Sequence, residues 1–252
     1  MTARTLAVTS GKGGVGKTFV TANLACALAA RGLRVLVLDA DLGLANLDVV
    51  LNLHPKLTLH DVFTEKCTLE QAILPAPGGF SVLLAGSGMV EYSRLTPEVR
   101  EKLLKIIDQV KPRYDWVLID TGAGISDVVL YSVSLAAEVL VVATPEPTSL
   151  TDAYAAIKVL AMQQERRVIG MVVNQVNRAG EGKGICTQLG AVLTRFAGAQ
   201  PGGHPFKLEL WGEVSNDTAV RQAVLRRQLL IEHYSGSDAA QGIKQLASKL
   251  LG

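Results

Sequence analysis

The chain has 252 residues, 48% of them apolar and only 5% aromatic, with a formal net charge of +2. That length suits one large α/β domain or two small ones with a sizeable core. The near-neutral balance gives no reason to expect a polyanionic partner over the whole surface, though it leaves a local basic patch open.

The elements follow in chain order. A short apolar strand, Thr5–Thr9, runs straight into Ser10-Gly11-Lys12-Gly13-Gly14-Val15-Gly16-Lys17-Thr18, leaving no room for a signal peptide. The spacing from Lys17 to Ala30 predicts a helix with Val20, Leu24, Ala27 and Leu28 on one face. Strands are expected at Val35–Leu38, Phe80–Leu84, Trp116–Ile119, Val139–Ala143, Val168–Val173 and Leu208–Trp211. Most are continuously apolar rather than alternating, the pattern of strands buried on both faces. Thr96-Pro97 reads as a cap followed by a proline at the first helical position, and Val99, Leu103, Ile106, Ile107 and Val110 then recur at helical spacing. Ser149 with Asp152 resembles a capping box opening a helix that carries Ala153, Ile157 and Leu160. Ala197–Pro205 reads as a loop rather than a domain boundary, and Asp238–Leu251 as a last helix. This alternation predicts a single doubly wound domain over 1–252, a mostly parallel sheet with helices on both faces.

Three features carry chemistry. Gly11, four residues, then Gly16-Lys17-Thr18 matches the phosphate loop G-x-x-x-x-G-K-[ST] in its confirming context, between a strand and a helix. Glycines admit the backbone shapes that turn successive N–H groups toward phosphate oxygens, and the positive end of the helix adds to the attraction. The nucleotide-binding set is therefore Gly11, Lys12, Gly13, Gly14, Val15, Gly16, Lys17, Thr18 and Phe19. Lys17 is expected at the β- and γ-phosphates and Thr18 at Mg2+. Two aspartate clusters end predicted strands, Asp39-Ala40-Asp41 and Asp120-Thr121-Gly122-Ala123-Gly124. Phosphoryl transfer needs metal-holding carboxylates and an oriented water, and ligands of such sheets lie at the carboxyl ends of strands. Asp120 is expected to act on Mg2+, with the glycines after it allowing a switch loop to move. By contrast Cys26, Cys67 and Cys186 lie far apart in no metal-binding spacing and read as ordinary thiols. No apolar run approaches the ~20 residues of a membrane span, so a cytoplasmic protein, at most attached to a membrane surface, is expected.

Lys12 is a second lysine in a loop that needs one. KGGVGKT resembles the deviant Walker A motif of the MinD/ParA group of ATPases. VLVLDADLGLANLDVVLNL resembles the first switch of the MinD branch, and DADLGLANLD, DTGAGISD and TPEPTSLTDAYAAIK are similar to the flagellar MinD-like ATPases (the FlhG/FleN/YlxH group). The similarity runs from Thr5 to about Ala247. It implies a slow ATPase that forms an ATP-dependent homodimer, with ATP or ADP and Mg2+ as cofactors, controlling flagellar number or placement. Lys12 would then reach the partner subunit's phosphates, as an arginine finger does elsewhere. The alternative is that it adds positive field within its own subunit. By the same resemblance Asp41 orients the attacking water, Asp39 lies near the metal, Asn174 contacts adenine, Asp217 lies near the base and Glu146 meets the partner's nucleotide. Flagellar regulatory or basal-body proteins, such as an SRP-type GTPase or a transcriptional activator, are the implied partners.

Three departures qualify the resemblance. Ser215 stands where many relatives have proline. No extension precedes the first strand, which puts stimulation of a partner GTPase in doubt. The C-terminal stripe of Ile243, Leu246, Ala247 and Leu250, flanked by Lys244 and Lys249, suits a docked helix better than the membrane helix of MinD-type proteins, so membrane contact is expected to be weak. The competing reading is a DNA-partition ATPase of the ParA type, with Arg166-Arg167 and Arg226-Arg227 as its basic surface, and DNA is the less favoured partner. Cluster-carrying relatives need paired cysteines, which are missing here.

Overall fold

The computed structural model describes residues 2–43, 46–86, 94–198 and 206–252. In chain order the elements are β1 (Arg4–Ser10), α1 (Lys17–Ala29), β2 (Val35–Ala40), α2 (Leu47–Leu51), α3 (Leu59–Phe63), α4 (Leu69–Ala72), β3 (Leu74–Pro75), β4 (Ser81–Leu83), α5 (Pro97–Val110), β5 (Trp116–Ala123), α6 (Asp127–Ser134), β6 (Glu138–Ala143), α7 (Pro147–Gln163), β7 (Val168–Val176), α8 (Glu181–Gly198), β8 (Lys207–Ser215), α9 (Thr218–Arg226), α10 (Leu230–His233) and α11 (Asp238–Leu251). The strands make one sheet in the order β3-β4-β2-β5-β1-β6-β7-β8. Its pairings are parallel apart from β3 against β4.

Burial on both faces explains the continuous apolar runs. Along β2, Val35 and Val37 face a layer that includes α1, α2 and α9–α11, while Leu36, Leu38 and Ala40 face α3–α8. The helix over α5 starts as its sequence demands: Val99 N–H donates to Thr96 Oγ1 at 3.3 Å, and Pro97 fills the first turn, where its missing N–H costs nothing. The start of α7 differs from the sequence expectation. The helix opens at Pro147 with Glu146 at the cap, and Ser149 lies inside it, its Oγ accepting from Thr144 N–H at 3.0 Å. Pro147, with φ already set for a helix, starts it two residues before the expected box. Of the expected loop at Ala197–Pro205, Ala197 and Gly198 close α8, and the remainder lies outside the described residues.

The last helix is docked. Ile243, Leu246, Ala247 and Leu250 are all buried, and α11 packs against α1 and β8. Gly242 sits so close to the β8 backbone that a Cβ there would meet Glu213 O at 2.2 Å. Arg31, in the turn after α1, secures the helix by donating to Lys244 O at 3.0 Å and Ser248 Oγ at 2.7 Å. Truncating Leu246 to Ala should therefore lower unfolding stability by about 2–4 kcal/mol, read from the midpoint of denaturant unfolding. A change under about 0.5 kcal/mol would mean that α11 is not part of the core.

In this order β1 lies between β5 and β6, so the loop after it opens at the carboxyl edge of the sheet, beside the ends of β2 and β5.

Candidate functional site

The glycine loop, residues 11–16, joins β1 to α1. Gly16 caps α1 at φ 96°, and a Cβ there would lie 2.4 Å from Asn174 Nδ2, so both conformation and space call for glycine. Gly11 packs on the backbone of α7, where a Cβ would fall 2.0 Å from Asp152 O. No side chain caps α1 and no acid stands in its first turn, so its leading amides face the loop available to an anion. Ser10 Oγ holds the loop from behind by donating to Lys12 O at 2.7 Å, and Asn174 Nδ2 donates to Val15 O at 2.8 Å.

A cavity of about 600 Å3 opens over this loop. Gly13, Gly14, Gly16, Lys17, Thr18 and Phe19 of the loop and helix start line it together with Asp41, Gly43, Gly122 and Ser126. Leu44 and Ala45, within the expected first switch, lie outside the described residues.

Two carboxylates lie below the cavity. Asp39 on β2 and Asp120 on β5 are direct register partners, 1% and 2% exposed. Burial pushes Asp120 up to about 6, against hydrogen bonds from Thr18 and Thr21 and the charge of Lys17. Thr21 Oγ1 donates to Asp120 Oδ1 at 3.1 Å. Asp39 is held well above the usual carboxylate range by burial and then by the neighbouring Asp120 charge. The Asp41 N–H, 3.1 Å from Asp39 Oδ1, pulls the other way, and the buried Oδ2 has no hydrogen-bond partner. Burial also lowers the Lys17 ammonium, which Asp120 and Asp41 draw back up. An orphaned carboxylate oxygen, a second carboxylate beside it and the Thr18 hydroxyl form a hard oxygen donor set, suited to Mg2+ completed by phosphate and water.

The other residues singled out in the sequence sit around this centre. Lys12 Nζ lies 3.0 Å from Glu146 Oε2 and 2.8 Å from Thr148 Oγ1 of its own chain, so Lys12 and Glu146 meet. Asn174 is 4% exposed and braces the loop through Val15. The Asp217 carboxylate caps α9 by accepting from Ala219 N–H at 2.8 Å, and its second oxygen accepts from Ala239 N–H at 3.3 Å. Thr148 and Thr21 escaped sequence reasoning. Thr21 follows Lys17 by one helical turn, a spacing that gave a signal; Thr148 is brought to Lys12 only by the fold. The end of β5 is tied to the loop as well, with Gly124 N–H donating to Ser10 O at 2.8 Å.

A strand, a glycine loop and a helix, with paired aspartates at the adjoining strand ends, define a P-loop nucleoside triphosphatase. The chain belongs to the ParA family: residues 1–251 match it under the description NUBPL iron-transfer P-loop NTPase. It is 40% identical to the antiactivator FleN of Pseudomonas aeruginosa over 97% of this chain and 85% of that one. With the flagellum site-determining protein YlxH of Helicobacter pylori it shares 30% identity over 98% of this chain and 81% of that one. Among solved structures, the septum site-determining protein MinD of Pyrococcus horikoshii, complexed with Mg-ADP, superposes with a TM-score of 0.81 at 27% identity, covering 98% and 96% of the two chains. The protein is accordingly an ATPase of the MinD-like kind, with ATP or ADP and Mg2+ as its cofactors. Cys26, Cys67 and Cys186 are free cysteines, none bonded to another.

The raised carboxylates make a signed prediction. A group whose folded pKa is raised contributes stability below its unfolded value, near 4 for an aspartate, and that contribution is lost as pH rises through the folded value. Without nucleotide, the protein should lose stability between about pH 4 and the folded values, about 6 for Asp120 and higher than usual for Asp39. Asp39→Asn removes one of the two charges. It should raise the nucleotide-free unfolding stability by roughly 1–3 kcal/mol at pH 8, with the gain vanishing toward pH 4, while weakening Mg-ATP binding. Thermal unfolding across that range and nucleotide titration measure both; an unchanged difference from pH 8 to pH 4 would refute the charge account.

Proposed function

We propose that this ATPase is a two-state switch that pairs with a second copy on binding ATP and separates after hydrolysis, controlling flagellar number or placement. The observation that carries the reading is Lys12. It is a second loop lysine at the rim of the site, held by a carboxylate and a hydroxyl on an exposed helix start rather than by the buried aspartates. The flagellar output rests on the near full-length similarity to FleN and YlxH, and flagellar regulatory proteins are the class of partner it suggests.

In this reading each residue has a task. The amides of residues 11–18 bind the phosphates, and Lys17 neutralises charge developing between the β- and γ-groups. Thr18, Asp39 and Asp120 would hold Mg2+, which when bound draws charge from the phosphate oxygens. Asp41, beyond the end of β2 and on the cavity wall, orients the water. Asn174 has one amide hydrogen on Val15 and a second left for the base, while Asp217 fixes the segment beside it by capping α9. Glu146 and Lys12 act across the dimer, so the contact between them within one chain must open first.

DNA partition is less well supported. Arg166, in one of the two arginine pairs that reading requires, has its guanidinium turned onto Ala137 O at 2.9 Å and Val133 O at 3.1 Å, which leaves it little freedom to meet a phosphate backbone.

Lys12→Ala should abolish the ATP-dependent dimer and with it most hydrolysis, measured by light scattering and phosphate release; unchanged turnover would sink the role across the dimer. Thr148→Val removes one of the two contacts that restrain Lys12. It should lower the protein concentration needed for ATP-dependent pairing by about fivefold.

A further inference from the structure

We propose that Thr21 is a positioning residue for the metal: its hydroxyl holds Asp120 from behind, and the Mg2+ affinity of the site depends on it. The proposal rests on the reading of Asp120 as a metal-holding carboxylate. Thr21 lies on α1 one turn after Lys17 and is 0% exposed. Its Oγ1 stands 3.0 Å from Lys17 O and 3.1 Å from Asp120 Oδ1. A hydroxyl has one proton to give, so the two acceptors compete for it. The Lys17 carbonyl lies inside a helix, where a backbone N–H is its ordinary partner. The carboxylate has no such substitute and is the stronger acceptor.

The two buried carboxylates of the site are held differently. Asp120 is bonded by the hydroxyls of Thr18 and Thr21, and neither of its oxygens is left alone. Asp39 accepts from the Asp41 N–H, and its Oδ2 has no partner among the described residues. Asp120 is thus the anchored member of the pair and Asp39 the open one.

The two hydroxyls on Asp120 also differ. Thr18 lines the cavity and Thr21 does not. Thr18 therefore serves both the cation and the carboxylate, whereas Thr21 fixes Asp120 from a place the cation does not reach. Its neighbours on α1, Val20 and Ala22, are fully buried, so the hydrogen bond is made in a dry setting. Mg2+ demands near-ideal octahedral geometry, and a carboxylate free to turn meets that demand less well. Groups that orient a metal-holding side chain in this way typically contribute 10–100-fold to metal affinity.

The test is binding of ADP with a fluorescent ribose label to the full chain, in EDTA and through a Mg2+ titration. Thr21→Val keeps the volume and removes the donor. It should raise the Mg2+ concentration at half-saturation about tenfold and leave the affinity in EDTA within about twofold. Thr21→Ser keeps the hydroxyl and should stay within about threefold of the parent midpoint. If Thr21→Val does not fold, Thr21→Ala against Thr21→Ser isolates the hydroxyl, with a gap of about tenfold expected between them. Asp120→Asn separates the proposal from the reading beneath it. A Mg2+ midpoint that moves in Asp120→Asn but not in Thr21→Val overturns the positioning role alone. A midpoint unmoved in both overturns the metal assignment with it. Equal loss of affinity in EDTA and in Mg2+ on Thr21→Val would make Thr21 a purely structural residue and overturn the proposal as well.

Discussion

Two carboxylates buried side by side at the ends of β2 and β5 set the terms for the rest of the site. Asp39 and Asp120 are neighbours in register and almost without solvent, so burial raises both and the Asp120 charge adds to the cost of ionising Asp39. The surroundings offset only part of that cost. Lys17, Thr18 and Thr21 satisfy Asp120, and the Asp41 amide satisfies one oxygen of Asp39, but Asp39 Oδ2 is left alone. The nucleotide-free site is therefore poised to take a divalent cation, and the phosphate loop lies where that cation would bridge to an anion. Strand order makes the arrangement possible, because β1 lies between β5 and β6 and delivers its loop to the same edge.

Much of this was legible because it depends on local patterns. Seven strands could be read from apolar runs that are buried on both faces, and the phosphate loop from spacing that only a strand–loop–helix unit requires. The aspartates could be read from their place after such runs. What escaped the sequence has physical reasons. Strand β3 is two residues long and ends in proline, too short for a period to show. Helix α8 contains Gly182, Gly184 and Gly190, which dilute its helical pattern; Gly182 is needed because a Cβ would come within 2.9 Å of the Glu213 side chain. The start of α7 was misread because Ser149 and Asp152 mimic a cap, whereas Pro147 begins the helix and turns Ser149 inward to Thr144.

The least legible features are contacts between residues far apart in the chain. Lys12 and Thr148 are separated by 136 positions, and Asn174 and Val15 by 159. No spacing rule reaches that distance, so the sequence indicates which residues the loop contains but not what braces it. The brace matters for a switch. A loop held by Ser10, Asn174 and the close packing of Gly11 on α7 is preorganised, and binding energy is not consumed in ordering it.

The hydrogen bond from Gly124 N–H to the Ser10 carbonyl has a consequence for how two surfaces of the molecule communicate. Ser10 also donates through its hydroxyl to Lys12 O, and Lys12 reaches Glu146 and Thr148. A continuous path thus runs from the glycine segment after β5, over the end of β1, to the outer start of α7. If binding at one end alters the affinity for a ligand at the other, that ligand must alter the first binding by the same factor, since coupling between binding equilibria is reciprocal. The start of α7 and the glycine segment after β5 are thus the two places on the surface that this path of hydrogen bonds joins.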